Sequence, residues 1–303
     1  MNRKSKEYII KFIKDSWTAL RPLSLTLAIG STTLGILSAY RLGYVDLSNK
    51  QHILLVILIT IAGLLAQSGA NLVNDYFEGS FRYYRPSGRK IKFLGVTRTY
   101  FDVYVFLWAM ICFGLASLIG LYLIYITDYK MLIIGFIGIL IAYGYTGEPF
   151  VLKRKGLGVP VSFITMGPLM VLGAAYPFTR SFNLDPILLS LPASFLIPAL
   201  MLSNEMRDYQ RDANLSLGTL SVRIGSKPSQ NIYRFLVFGG YILTLTYIIT
   251  GFYPLASLIV FITLPTALKA HKSVCNFEKL GIPYTNTLHW TYTLLLIISF
   301  IFI

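Results

Sequence analysis

Two short polar segments carry most of the candidate chemistry of this chain. Residues 71–78 read NLVNDYFE, and residues 204–212 read NEMRDYQRD. In the second segment Asn204, Asp208 and Asp212 recur at every fourth residue, so a continuous helix would present them on one face. Carboxylate and amide oxygens are the ligands that Mg²⁺ prefers. The spacing therefore predicts an oxygen-rich face able to hold a diphosphate through bridging metal ions.

The first segment supplies a matching set of oxygens. Asn71 and Asp75 are four residues apart, as are Asn74 and Glu78, which predicts one polar edge at the end of a helix. The alternative is that these groups only solvate helix ends. Two clusters on the same side of a membrane favour a shared site instead, with these candidate metal ligands: Asn71, Asn74, Asp75, Glu78, Asn204, Asp208 and Asp212.

The composition places both segments in an integral membrane protein. The 303 residues are 55% hydrophobic and 13% charged, whereas soluble domains carry about 25% charged residues. We expect an all-α protein with about nine transmembrane helices. The predicted spans cover residues 22–40, 53–73, 101–125, 131–147, 159–178, 186–204, 231–250, 252–268 and 286–303.

Basic residues predict the orientation of these spans. The net charge is +14, and most of the excess lies in alternate loops, within segments 3–14, 82–98, 153–155, 207–234 and 269–279. This pattern predicts a cytoplasmic N-terminus and an external C-terminus in the cell membrane. Basic residues confined to short loops argue against nucleic-acid binding. Within residues 1–20 the apolar residues recur at helical spacing and the charged residues lie mostly off that stripe, which predicts an amphipathic helix on the cytoplasmic membrane surface.

At these residues the chain resembles the UbiA superfamily of intramembrane aromatic prenyltransferases. The matching segments are RP at 21–22, NLVNDY at 71–76, YTGEPF at 145–150, GPLMVLG at 167–173, the second acidic segment, and TLSVRIG at 219–225. The resemblance is nearest to the branch that prenylates 1,4-dihydroxy-2-naphthoate in menaquinone synthesis. It implies one polytopic domain over residues 1–303, with its helices in a bundle around a cavity open to lipid.

The resemblance also implies roles for individual residues. It makes Asp75, Asp208 and Asp212 the candidate catalytic residues. The cations implied to bind diphosphate oxygens are Lys153, Arg154, Arg207, Arg223 and Arg82. The implied substrate pocket contains Tyr76, Tyr143 and Tyr145, whose ring faces can stabilise a carbocation, and Glu148, a candidate acid or base on the acceptor side.

The expected reaction is Mg²⁺-dependent transfer of a polyprenyl group from its diphosphate to an aromatic acceptor. Ionisation gives an allylic cation, the ring attacks it, and loss of carboxylate and a proton completes the step for a dihydroxynaphthoate. One departure leaves the metal count open, because segment 79–84 lacks the further Asp that the family usually carries after its first motif. Arg82 or Arg85 is then a candidate to bind diphosphate directly.

Three alternatives remain open from the sequence. A relative with another acceptor would take hydroxybenzoate, another quinone precursor, a glycerol ether or a tetrapyrrole. A transporter would use the same acids to bind a cation or substrate, although these acids lie at span ends and none is at mid-span. A non-catalytic relative would explain the missing acid. The prenyl chain length and the oligomeric state are not set by the sequence.

Overall fold

The computed structural model describes residues 3–79 and 89–301. The first helices in these ranges are α1 (Arg3–Leu20), α2 (Leu25–Arg41), α3 (Lys50–Phe77), α4 (Tyr100–Ile126), α5 (Lys130–Gly144), α6 (Gly158–Ile164) and α7 (Met170–Thr179). The remainder are α8 (Asp185–Ser194), α9 (Leu196–Arg207), α10 (Tyr209–Asn214), α11 (Leu220–Ile224), α12 (Ser226–Ile249), α13 (Leu264–Cys275) and α14 (Gly281–Ile301). The predicted all-α membrane architecture is confirmed.

Local sequence explains where the long helices begin. The Asn49 side chain accepts a hydrogen bond from the Gln51 amide and caps α3. Thr99 and Asp102 form a reciprocal capping box at the start of α4. These caps satisfy backbone N–H groups that the first helical turn leaves without partners.

Proline and short non-α turns interrupt the middle helices without separating them. A π-helical turn at Thr165–Leu169, which contains Pro168, joins α6 to α7. A 3₁₀ helix at Leu255–Thr263 leads directly into α13. Each interrupted pair therefore forms one continuous span, Gly158–Thr179 and Leu255–Cys275.

Seven helical segments of the described chain are long and apolar enough to cross a membrane. The first of them runs over Lys6–Arg41, because α1 adjoins α2 through the 3₁₀ turn at Pro22–Ser24. The helix at Lys130–Gly144 is apolar but shorter, and α14 is a further helix of 21 residues. Every predicted span thus coincides with helix in the structure, while the count of nine membrane crossings stays a prediction.

The N-terminal helix has one buried and one exposed face. Ile10, Ile13 and Trp17 are exposed on one face, while Asp15 and Ser16 on the other side are buried. An exposed apolar face on a helix rich in lysine is typical of helices that lie in a membrane interface. The surface location predicted for residues 1–20 remains a prediction.

A small β-hairpin precedes α4 and was not predicted. Strand β1 (Lys90–Phe93) pairs antiparallel with β2 (Val96–Thr99) through a turn at Leu94 and Gly95, both at positive φ. Two positive φ values in sequence are typical of a type I′ turn, which suits a hairpin. Phe93 packs against Tyr76, so the hairpin covers the end of α3.

Most of the buried apolar side chains fall into two cores. One core joins α9, α12, α13 and α14 around Tyr233, Leu288 and Tyr292. The other consists of two neighbouring clusters that join α2, α3, α4, α5 and α7. Both acidic segments lie at the end of the bundle where α3 and α9 terminate. We call this end of the bundle the motif end.

Candidate active site

A cavity of about 880 Å³ opens at the motif end and brings the two acidic segments together. Its walls come from α2, α3, α4, α5, α7, α9 and α14, and it combines a polar mouth with an apolar interior. Its lining includes most of the residues that the sequence singled out: Asn71, Asn74, Asp75, Glu78, Tyr145, Lys153, Arg154, Asn204, Arg207, Asp208 and Asp212.

Glu78 anchors a group of opposite charges on the α3 side of the mouth. It caps the C-terminus of α3, and its carboxylate lies 2.6 Å from the Lys153 ammonium and 4.0 Å from the Arg21 guanidinium. Arg21 also donates a hydrogen bond to the Asn74 side-chain oxygen. Burial would raise the pKa of Glu78, but the attraction of Lys153 and Arg21 outweighs burial and lowers that pKa. Glu78 is therefore an ionised carboxylate.

Asn71 holds the turn between α1 and α2. Its side-chain nitrogen donates to the Leu20 carbonyl and to the Ser24 hydroxyl, both at 2.8 Å. Its side-chain oxygen accepts from Gln67 at 3.3 Å. These bonds give Asn71 a positioning role for the turn that carries Arg21, beside the metal-binding role that was predicted for it.

The second acidic segment keeps its spacing although α9 ends within it. The Asp208 amide donates to the Asn204 carbonyl at 3.2 Å, and the Asp212 amide to the Asp208 carbonyl at 2.9 Å. The three residues therefore follow one another at helical pitch across the junction of α9 and α10. The Asn204 side-chain nitrogen donates a hydrogen bond to the Leu200 carbonyl at 3.0 Å, and this bond does not involve the side-chain oxygen.

Arginines neutralise the carboxylates of this second segment. Arg207 contacts Asp208 at 2.7 Å, and Arg211 bridges Asp208 and Asp212 at 2.9 Å to each. Burial raises the pKa of Asp212, and Arg211 counteracts part of that rise. Arg211 was not among the predicted site residues, although its spacing of four from Arg207 matches the spacing of the two aspartates.

The donor set fits a magnesium ion shared with a phosphate ligand. Within the described ranges, no group of three or more His, Cys, Asp or Glu side chains converges on one point. Mg²⁺ in phosphate-binding sites uses only one or two carboxylates and takes its other ligands from water and phosphate. The hard oxygens of Asn74, Asp75, Asn204 and Asp208 around one cavity mouth meet that requirement.

Some predicted site residues lie away from this cavity. In the part of the chain that the structure describes, Tyr76, Tyr143, Glu148 and Arg223 do not line it. Tyr76 is buried beneath the hairpin with the Arg98 guanidinium 4.7 Å from its ring centre, and Tyr143 packs on Phe77. Glu148 is exposed.

One of the predicted diphosphate-binding arginines lies elsewhere, and another falls outside the described residues. Arg223 is exposed and donates to the Gly218 carbonyl at 2.7 Å. That bond holds the loop beside Gly156, where an added Cβ would lie 2.5 Å from the Arg223 side chain. Arg82 and Arg85 lie outside the described residues.

Small and apolar side chains line the interior of the cavity. Gly63 on α3, Gly120 on α4, and Gly135 and Gly138 on α5 are part of this lining. No atom lies within 4 Å of a Cβ added at Gly120, Gly135 or Gly138, so these positions border open space on the α4 and α5 side of the cavity. This interior suits an extended hydrocarbon, while the mouth suits a polyanion.

Comparison with known proteins identifies the family of the chain. The chain matches the UbiA prenyltransferase family over residues 28–276. It belongs to this family. The protein is therefore a polytopic membrane prenyltransferase, and the acidic segments and the cavity are its candidate active site. Named relatives agree with this assignment at moderate sequence identity.

The relatives include enzymes named for the naphthoate acceptor. A 1,4-dihydroxy-2-naphthoate octaprenyltransferase from Bacillus subtilis (strain 168) is 28% identical over 264 residues, which are 86% of this chain and 82% of the relative. UbiA prenyltransferase domain-containing protein 1 from Danio rerio is 29% identical over 255 residues, 82% of this chain and 72% of the relative.

Solved structures share the fold. A UbiA homolog from Archaeoglobus fulgidus bound to GPP and Mg²⁺ aligns with a TM-score of 0.58 at 14% identity, covering 93% of this chain and 99% of that one. A digeranylgeranylglyceryl phosphate synthase aligns with a TM-score of 0.60 at 18% identity, covering 98% of both chains. At these identities the likeness establishes the fold alone.

Proposed function

We propose that this UbiA-family protein transfers a polyprenyl group from polyprenyl diphosphate to an aromatic acceptor, with 1,4-dihydroxy-2-naphthoate as the acceptor and Mg²⁺ as the cofactor. The observation that carries the proposal is that both acidic segments and their cations line the mouth of one cavity whose interior is apolar. The named naphthoate relatives support the choice of acceptor. The basic loops support an active site on the cytoplasmic side of the cell membrane.

The cations at the mouth would bind the diphosphate. Lys153 and Arg207 line the cavity, and each already contacts a carboxylate, at 2.6 Å and 2.7 Å. A diphosphate would accept charge-assisted hydrogen bonds from both side chains. Mg²⁺ held by Asn74, Asp75, Asn204 and Asp208 would neutralise the negative charge that develops on the leaving diphosphate.

The apolar interior would hold the start of the prenyl tail and keep water away from the reacting carbon. When the C1–O bond of the donor breaks, its electron pair leaves with the diphosphate and an allylic cation remains. Water would intercept that cation, so its exclusion by apolar walls is part of the catalysis. The walls along α4 and α5 supply this exclusion.

Tyr145 lines the cavity between the polar mouth and the apolar interior. The phenol of Tyr145 is uncharged at neutral pH, as is usual for tyrosine. A neutral tyrosine ring can stabilise the cation through its π face. The acceptor ring then forms the new C–C bond, and aromaticity returns when the attacked carbon loses its substituent, carboxylate as CO₂ or hydrogen as a proton.

Prenyl transfer by the purified protein tests this proposal. The assay supplies 1,4-dihydroxy-2-naphthoate, octaprenyl diphosphate and Mg²⁺ in lipid nanodiscs. We expect a prenylated product that EDTA and Asp208→Ala both abolish, while Asp185→Ala, which removes an acid at the start of α8, leaves the rate unchanged.

The other outcomes separate the parts of the proposal. Release of diphosphate that depends on Mg²⁺ and Asp208, without naphthoate product, would retain the transferase chemistry and overturn the choice of acceptor. Folded protein that releases no diphosphate with any acceptor would overturn the catalytic proposal. Activity that survives in Asp208→Ala would remove the second acidic segment from the mechanism.

A further inference from the structure

The cavity wall formed by α14 contains a polar group that the proposed chemistry does not use. Ile282, Pro283 and Asn286, in the first two turns of α14, line the cavity. The Asn286 side-chain oxygen is buried and accepts no hydrogen bond from the described part of the chain. A buried amide oxygen without a donor is costly, and such groups in native proteins usually mark a missing partner.

The surroundings of Asn286 place it beside the reaction centre. Ile282, one turn before it, packs with the cluster of Leu27, Ile197 and Leu200. Leu200 lies one turn before Asn204 on α9 and accepts the bond from the Asn204 side chain. Asn286 therefore belongs to the wall just inside the polar mouth, where an acceptor must approach the first carbon of the donor.

The chemistry of the possible ligands selects the partner. An amide oxygen accepts hydrogen bonds and cannot donate them. An ionised diphosphate has no proton to give, and a prenyl tail has no polar group. An aromatic acceptor with a ring hydroxyl is the one reactant that brings an O–H donor into this cavity.

We propose that Asn286 binds a ring hydroxyl of the aromatic acceptor by accepting its O–H. The inference rests on the proposed function, since it assigns the acceptor of the same site to the α14 wall. The hydrogen bond would place the ring against Ile282 and Met201, opposite the apolar walls of α4 and α5 that hold the tail. Asn286 is then a specificity residue that favours hydroxylated rings.

The test compares Asn286→Leu with a matched control. Thr293, two turns further along α14, also has a buried side-chain oxygen without a partner in the described chain, but it does not line the cavity. Thr293→Val therefore removes a comparable buried atom away from the acceptor. Both variants are compared with wild type on 1,4-dihydroxy-2-naphthoate and on its monomethyl ethers. Calorimetry measures binding of each acceptor in the absence of the prenyl donor, and steady-state kinetics measure prenyl transfer.

We expect Asn286→Leu to weaken acceptor binding and to raise the acceptor KM by about 10- to 100-fold. The KM for octaprenyl diphosphate should change less than about twofold, because the donor does not contact Asn286. At least one methyl ether should bind wild type and Asn286→Leu equally, since its oxygen has no proton to donate. Thr293→Val should resemble wild type throughout, and Asn286→Ser, which retains an acceptor oxygen, should be intermediate.

Three results would overturn the inference. Equal losses with the hydroxylated ring and with every ether would show that Asn286 acts only through packing. A matching rise in donor KM would place it on the donor. Wild type that binds 1,4-dihydroxy-2-naphthoate no better than its ethers would show that no hydroxyl is recognised. Wild type that rejects the naphthoate but discriminates 4-hydroxybenzoate from 4-methoxybenzoate through Asn286 would overturn the proposed acceptor and retain the inference.

Discussion

Gly138 provides a direct test of where the prenyl tail lies. This residue of α5 lines the apolar interior, and no atom lies within 4 Å of a Cβ added there. It precedes Tyr145 by seven residues, which places it about 10 Å deeper than the mouth at a helical rise of 1.5 Å per residue. A leucine at this position would enter the space that a long tail needs and leave the polar mouth unchanged.

The expected magnitude follows from the cost of overpacking. Extra methylene groups forced into a filled site cost about 1–3 kcal/mol. That cost corresponds to about a 5- to 150-fold fall in kcat/KM for a long donor, at about 1.4 kcal/mol for each factor of ten. Dimethylallyl diphosphate does not reach Gly138, so Gly138→Leu should use it within about twofold of the wild-type rate.

Competition between octaprenyl and dimethylallyl diphosphate, read by mass spectrometry of the products, measures this selectivity. Gly114→Leu is the matched control, because Gly114 lies on the exposed face of α4, has no atom near its added Cβ, and does not line the cavity. It should leave the selectivity unchanged. Equal slowing of both donors by Gly138→Leu, or the same change of selectivity in Gly114→Leu, would refute a tail path along α5.

Three further predictions concern the charged groups. Lys153→Gln should raise the KM for the donor by about tenfold and leave the acceptor KM unchanged in steady-state assays, because a charged hydrogen bond to diphosphate is lost. Arg211→Gln should strengthen Mg²⁺ binding in the absence of diphosphate, measured by calorimetry, since Arg211 competes for Asp208; weaker binding would contradict this. Tyr176→Phe removes the hydrogen bond that lowers the pKa of Asp128. A carboxyl whose pKa is lower in the folded than in the unfolded protein stabilises the fold at pH values above the unfolded pKa of about 4, and this stabilisation disappears as the pH falls through the folded pKa. The variant should therefore unfold at a lower temperature than wild type at pH 7, and the two unfolding temperatures should converge in acid.

The helical architecture and both acidic segments were predictable because they depend on local pattern. Long apolar stretches must form helices in lipid, since no other open structure satisfies the backbone there. The spacing of four between Asn204, Asp208 and Asp212 survives the end of α9, because the backbone continues at helical pitch through the junction. Membership of the UbiA family, predicted from the ordered motifs, was confirmed by the match over residues 28–276.

Features that depend on which side of a helix meets which neighbour were not predictable in the same way. Tyr76 and Tyr145 both lie at the C-terminal end of an apolar helix, yet Tyr76 packs under the hairpin and Tyr145 lines the cavity. The hairpin itself has a local signal in the Leu94-Gly95 turn, but the basic character of its strands suggested only a loop. Arg21 reaches Asn74 across 53 positions of sequence, a contact that no local pattern encodes.

Each acidic segment lies at the C-terminal end of a helix, which is the end where negative charge is unfavourable. Glu78 follows the C-terminus of α3 and Asp208 follows that of α9, where the helix dipole is itself negative. Lys153 and Arg211 compensate these carboxylates, but such partly exposed ion pairs contribute little net stability. Stability therefore does not account for the arrangement, and the proposed function offers an explanation: a diphosphate would take over the cations while Mg²⁺ took over the carboxylates. Every charge would then keep a counter-charge during binding, which allows a polyanion to enter an otherwise apolar cavity.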